Sequence, residues 1–180
     1  MHVLVAYGSV EGQTRKIARH LSGSVQSRGH DVTIFDAADL EDVDLDLFDA
    51  AIIAAPVHIG AFHPAIVDWV GRNSAKLAKL PSGFVSVSLA AASAFPEEKA
   101  EVAKLATDLF TRTKWKPDSV HHAAGALRYT KYDFLKRMLM KYIARKEGGS
   151  TDTSGDHEYT DWDALDAFVG ELLQQAKAAA

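Results

Sequence analysis

The chain contains no cysteine, which excludes disulfides, thiol nucleophiles, cysteine-held iron–sulfur clusters and thiolate zinc sites as its own chemistry. Any redox work therefore needs a bound cofactor. There is no strongly basic half, and a formal net charge of -4 argues against nucleic acid as the main partner. No apolar run approaches bilayer-spanning length, and the first residues lack the basic and apolar regions of a secretory leader. A cytoplasmic location is the expectation. Internal repeats and low-complexity linkers are absent as well. What is present is 180 residues, 47% of them apolar, enough for one substantial core and too few for two comfortable domains. A single domain over residues 1–180 is expected.

Apolar runs alternate with amphipathic stretches along most of the chain. Strands are predicted over His2 to Tyr7, Asp31 to Phe35, Phe48 to Ala55, Gly83 to Leu89 and Val120 to Leu127. Helices are predicted over Thr14 to Arg28, Pro64 to Leu80, Pro96 to Thr113 and Asp161 to Lys177, the third opened by Pro96 and Glu97. Five strands with intervening helices read as an α/β fold: a flavodoxin-like, doubly wound, five-stranded parallel sheet in the order 2-1-3-4-5. In such a sheet ligands gather beyond the carboxyl ends of the strands, at the switch point between strands one and three. Between strands two and three, Glu41, Asp42, Asp44, Asp46 and Asp49 form an acidic connector that reads as solvated surface.

The first strand runs through Gly8-Ser9-Val10-Glu11-Gly12-Gln13-Thr14 directly into a helix. Amides freed at the helix start, the hydroxyls of Ser9 and Thr14 and the positive end of the helix dipole converge there on one small volume, suited to a phosphate. The glycines do not have dinucleotide-loop spacing, and no lysine precedes a Ser or Thr as in a nucleotide P-loop. Ser9, Gly12, Thr14 and Ala18 resemble the phosphate loop of flavodoxins, which implies flavin mononucleotide (FMN) held by Ser9, Val10, Glu11, Gly12, Gln13 and Thr14. Glu11 stands where many flavodoxins place a hydroxyl, and must point away from the phosphate.

The loops after strands three and four leave the same sheet edge and are expected to hold the flavin ring. The first carries Val57, His58, Ile59 and Gly60, with Gly60 suited to positive φ and His58, Ile59 and Phe62 placed to flank the ring. The second, Ser88, Leu89, Ala90 and Ala91, offers small side chains and backbone donors for the pyrimidine oxygens. His58 is a candidate proton donor, although a loop histidine with no chemical role is the favoured reading. No metal site is expected: His58 with His63, and His121 with His122, lack supporting ligands, and adjacent strand residues point to opposite faces.

A long connection, about residues 128–158, separates strand five from the last helix. Within Tyr132 to Lys146 the residues Phe134, Leu135, Met138, Leu139, Tyr142 and Ile143 share one helical face, flanked by Lys136, Arg137 and Lys141. Such a cationic amphipathic helix suits a membrane surface, a partner, an anionic substrate, or simple packing on the domain.

Gly125-Ala126-Leu127-Arg128-Tyr129, the basic helix, Gly148-Gly149-Ser150-Thr151-Asp152-Thr153 and Tyr159-Thr160-Asp161-Trp162 together resemble the bacterial menaquinone-dependent protoporphyrinogen dehydrogenases, which are flavodoxin-type proteins. The likeness covers nearly the whole chain, including Ser86-Val87-Ser88-Leu89 and Trp115-Lys116-Pro117-Asp118. It implies FMN-dependent oxidation of protoporphyrinogen IX with menaquinone as acceptor, in heme biosynthesis, with peripheral contact to an anionic inner-membrane face. Under it, His58, Arg128 and Tyr129 are the candidate catalytic residues. Arg128, Lys136, Arg137 and Lys141 are then candidates for the porphyrinogen carboxylates or the lipid surface. Two departures stand out: His58-Ile59 replaces a basic and aromatic pair, and the segment from Ala90 to Pro96 is small and neutral where that family is basic. A flavodoxin electron carrier and an NAD(P)H:quinone reductase are the alternatives, and no nicotinamide site is recognisable.

Overall fold

The computed structural model describes residues 1–37, 39, 43–93, 95–127 and 157–179. Strand β1 (His2–Tyr7) leads into helix α1 (Gln13–Ser27), followed by β2 (Asp31–Asp36), β3 (Ala50–His58) and the two-residue β4 (Ala61–Phe62). Then come α2 (Pro64–Leu77), β5 (Ser82–Ser88), α3 (Pro96–Thr113), β6 (Ser119–Ala124), β7 (Ala126–Leu127), β8 (His157–Glu158) and α4 (Trp162–Ala179). The main sheet runs β2-β1-β3-β5-β6, with β4 antiparallel on β3 and the rest parallel. Without the short β4, this is the order predicted from sequence.

Because both faces of the inner strands are covered, alternate residues serve two cores. Val3, Val5, Ala50, Ile52, Val85 and Val87 face the side packed by Ile17 and Leu21 of α1 and Val169 and Leu172 of α4. Leu4, Ala51, Ile53 and Phe84 face the side packed by Ile66 and Val70 of α2 and Leu109 of α3. Helix α3 begins and ends where the sequence predicted, with Pro96 in its first turn beside Glu97 and Glu98. Pro favours the first helical position, and acidic residues favour the dipole's positive end.

Helix α2, strand β3 and the end of the fifth strand differ from expectation; β3 starts at Ala50 and runs on to His58, so that Pro56, Val57 and His58 extend the strand. Helix α2 stops at Leu77 rather than Leu80, because Pro81 follows and the residue before a proline is pushed out of the helical region. Lys79 and Leu80 instead donate to Lys76 and Leu77 in tight turns. The fifth strand of the sheet ends at Ala124: the Gly125 amide still completes the ladder to Ser88 O at 3.0 Å, but the Gly125 carbonyl accepts the Tyr159 amide at 3.3 Å instead of continuing the sheet. Ala126 and Leu127 then pair with His157 and Glu158 in a separate two-stranded ladder. The described aspartates of the acidic connector are exposed, as expected; Asp44 and Asp46 also hold Lys76 at 3.3 and 2.7 Å, and Asp49 Oδ2 accepts the His2 amide at 2.7 Å. These three carboxylates knit loop to sheet and helix; Glu41 and Asp42 lie outside the described residues.

The segment Trp115-Lys116-Pro117-Asp118 has a structural role. The Trp115 indole donates to Ser82 Oγ at 3.2 Å, while Asp118 Oδ2 accepts the Ser82 amide at 2.8 Å and the Asp118 amide donates to Ser82 O at 2.7 Å. The turn out of α3 is thus fastened to the start of β5.

Candidate functional site

Three loops leave the carboxyl ends of β1, β3 and β5 at one edge of the sheet. In the first, Gly8 donates its amide to Ala54 O at 3.1 Å. Its α-carbon lies against His63, so that an added β-carbon would stand 2.8 Å from His63 Cγ. Only glycine fits without moving that ring. Ser9 Oγ accepts the Gly12 amide at 3.0 Å, which closes the turn and leaves the hydroxyl proton available. Gly12 is the N-cap of α1 at φ 94, ψ -14, with no side-chain cap. The first intrahelical bond is Lys16 N to Gly12 O, at 3.1 Å. The amides of Gln13, Thr14 and Arg15 therefore open at the helix terminus without an intrahelical acceptor. Thr14 is buried beneath them, Val10 is exposed, and Glu11 is half-buried on the rim.

This cradle has the donors a phosphomonoester requires: a run of oriented amides, a hydroxyl, the positive helix end and no side chain at its crown. It fits the phosphate of FMN. Gln13 enters only through its backbone, because its side chain turns outward to Glu158 Oε1 at 2.7 Å and Thr160 Oγ1 at 3.0 Å.

The second loop is a tight hairpin in which Val57 pairs with Phe62 and His58 with Ala61. Ile59 and Gly60 form its tip at φ 50 and φ 71. Positive φ at both central residues is the geometry that matches strand twist, and it ordinarily selects Asn, Asp or Gly. Ile59 is β-branched and 91% exposed, so it carries backbone strain and an unburied apolar side chain together. His58 is also exposed. Phe62 is a correction to the sequence reading. It is buried, edge-on to Phe84 with ring centroids 5.3 Å apart, and belongs to the core rather than the ring site.

In the third loop, Leu89–Ala92 forms a 3-10 turn capped by Ser88, whose Oγ accepts the Ala91 amide at 3.2 Å. This too corrects the expectation of uniformly free amides. The Ala91 amide is occupied, and the open ones are those of Leu89 and Ala90 at the start of the turn.

His121 and His122 lie on opposite faces, as alternation requires. The His121 ring is 5.9 Å from Phe168 of α4, while His122 Nδ1 lies 2.6 Å from Ser86 Oγ. Burial lowers both imidazole pKa values below the usual histidine value. Among the described residues, no group of three or more His, Asp or Glu could hold a metal ion. Arg128, Tyr129, Lys136, Arg137 and Lys141 lie outside the described residues.

Sequence reasoning missed a clasp beside the phosphate turn. Lys16 Nζ donates to both carboxylate oxygens of Glu158 at 2.8 Å and stands 5.1 Å from the Trp162 ring centroid. Thr160 Oγ1 donates to Ala124 O at 2.7 Å, and the Tyr159 amide to Gly125 O at 3.3 Å. Hydrogen bonds from Lys16 and then Gln13 lower the Glu158 pKa below the ordinary carboxylate value. The available signal was the joint presence of Gly12-Gln13-Thr14 and Tyr159-Thr160-Asp161-Trp162, whose residues meet here.

A flavodoxin-domain family model matches residues 4–154. The protoporphyrinogen IX dehydrogenase [quinone] of Escherichia coli strain K12 is 31% identical over 173 residues, covering 96% of this chain and 94% of that protein. This chain belongs to that flavodoxin-domain family. A Leishmania major protein of the same name is 30% identical, over 94% of this chain and 73% of its own length. Among solved structures, the family fold is matched by a short-chain flavodoxin associated with a non-canonical PDU bacterial microcompartment, at TM-score 0.59. That pair is 15% identical, over 98% of this chain and 99% of the other. A Streptococcus pneumonia TIGR4 flavodoxin gives TM-score 0.54 and 16% identity, covering 97% and 99%. At such identities the solved structures establish the fold, and the dehydrogenase relatives place this oxidoreductase within the family.

Proposed function

We propose that the protein binds FMN and oxidises protoporphyrinogen IX to protoporphyrin IX, passing the electrons to menaquinone in heme biosynthesis. The observation that carries the reading is the uncapped, left-handed start of α1 at Gly12, with Ser9 and three open amides around it. Bound FMN supplies the two-electron redox chemistry that this cysteine-free chain lacks. The chain's own part is orientation and electrostatics. The amides of Gln13, Thr14 and Arg15 hold the phosphate, His58 and Ile59 flank the ring from the hairpin tip, and the open amides of Leu89 and Ala90 face its polar edge. Relatives named for protoporphyrinogen and quinone support the substrate pair. By sequence, Arg128, Lys136, Arg137 and Lys141 meet the porphyrinogen carboxylates or an anionic bilayer surface. No described helix is long and apolar enough to cross a membrane.

The test is anaerobic mixing of FMN-loaded protein, protoporphyrinogen IX and menaquinone while porphyrin fluorescence is followed, with flavin-free protein as control. Fluorescence growth that requires both FMN and the quinone is expected. A protein that takes up FMN yet leaves porphyrinogen unoxidised, while exchanging single electrons with a reductase, is a carrier instead.

The strained tip yields a second expectation. Ile59→Asn suits the left-handed backbone and should stabilise the flavin-free protein by about 1 kcal/mol, read as a higher melting temperature. The same variant should slow porphyrinogen oxidation, because the apolar contact against the ring is lost. Unchanged turnover would remove Ile59 from the site.

A further inference from the structure

The turn assigned to the FMN phosphate is poor in available positive charge. No Lys or Arg occurs among residues 8–14, and Glu11 adds a negative charge on the rim. The nearest cations in sequence are Arg15 and Lys16 in α1. Arg15 is engaged by Tyr7 and lies 3.6 Å from Asp36. Lys16 is the fourth residue of the helix, and helical side chains lean toward the N-terminus, so its ammonium is carried back over Gln13 toward the first turn of α1. The same Glu158 oxygen accepts from both Gln13 and Lys16. The ammonium at the cofactor end of α1 is thus paired with a carboxylate from β8.

Glu158 is held in place independently of Lys16. Its neighbours Tyr159 and Thr160 are hydrogen-bonded to Gly125 O and Ala124 O at the end of β6, and β8 pairs with β7. An exposed ion pair of this kind contributes little to stability. Its consequence is where it places charge.

We infer that Glu158 is a positioning residue that withholds Lys16 from the cofactor phosphate, so that docking of the β7–β8 neck and binding of FMN compete for one ammonium group. The inference rests on the FMN reading above. Linkage makes the competition reciprocal: whatever breaks the Glu158–Lys16 pair tightens FMN, and FMN weakens that pair by the same factor.

The experiment compares the affinities of FMN and riboflavin, measured by flavin fluorescence quenching, for wild type and Glu158→Gln. The glutamine keeps a carbonyl acceptor for Gln13 and removes the charge. In Glu158→Gln, FMN affinity should rise roughly three- to tenfold at about 10 mM ionic strength and return toward wild type at about 1 M, as expected for screened charges. Riboflavin, which has no phosphate, should bind both proteins alike. Adding Lys16→Met to Glu158→Gln should cancel the gain. Unchanged or weaker FMN binding in Glu158→Gln, a matching gain for riboflavin, or a gain that survives Lys16→Met would each overturn the inference. A wild-type protein that fails to prefer FMN over riboflavin would instead overturn the phosphate assignment beneath it.

Discussion

Gly12→Asp should weaken FMN binding by at least about a hundredfold while leaving the fold intact. Two like unit charges about 5 Å apart repel by about 3 kcal/mol at an effective dielectric near 20, which is more than two orders of magnitude in Kd. Position 12 crowns the cradle, where a carboxylate would face the phosphate dianion directly. The backbone cost is modest. At φ 94 and ψ -14 the residue is in a left-handed conformation that Asp tolerates better than most, so the flavin-free variant should lose roughly 1 kcal/mol. Flavin titration and thermal melting of the same preparations separate the two effects. A variant that binds FMN within a few-fold of wild type would mean that the phosphate lies elsewhere.

Trp115→Ala should destabilise the protein by about 3–5 kcal/mol, the range for emptying a large buried aromatic site. Trp115 has 0% exposure and meets Phe84 and Phe110 edge-on, with centroids 6.0 and 5.8 Å away. Its indole also donates to the buried Ser82 hydroxyl. Such a loss is a large fraction of the roughly 5–15 kcal/mol that holds a typical domain together. Trp115→Phe retains most of the packing and should lose much less. Denaturant midpoints at constant slope provide the measurement. A midpoint shift in the alanine variant worth less than about 1 kcal/mol would show that this corner of the core collapses to fill the space.

Legibility followed the range of the interaction involved. The limits of α3 were readable because Pro96, Glu97 and Glu98 act within one turn of chain, and the turn into α1 was readable because Ser9, Gly12 and the first amides of α1 are sequence neighbours. The end of β6 was not readable. Gly125 leaves the sheet where its carbonyl accepts the Tyr159 amide, and nothing adjacent to Gly125 announces that partner. Phe62 looked available to a ligand beside His58 and Ile59, but the hairpin rotates it onto Phe84. Ala91 looked like a free donor until the cap from Ser88 occupied its amide. Gln13 belonged to the phosphate loop by position, and its side chain was drawn outward by Glu158 and Thr160, more than a hundred residues later in the chain.

By itself the sequence determined the class of sheet, its strand order, the need for an external redox group and a turn whose donors suit a phosphate. Each depends on composition, on alternation along a strand, or on donors a few residues apart. Tertiary structure alone decided which of those donors remain open, which aromatic turns inward and which carboxylate neutralises Lys16. These depend on atoms brought together across the fold, where a hydrogen bond formed with one partner is no longer available to another.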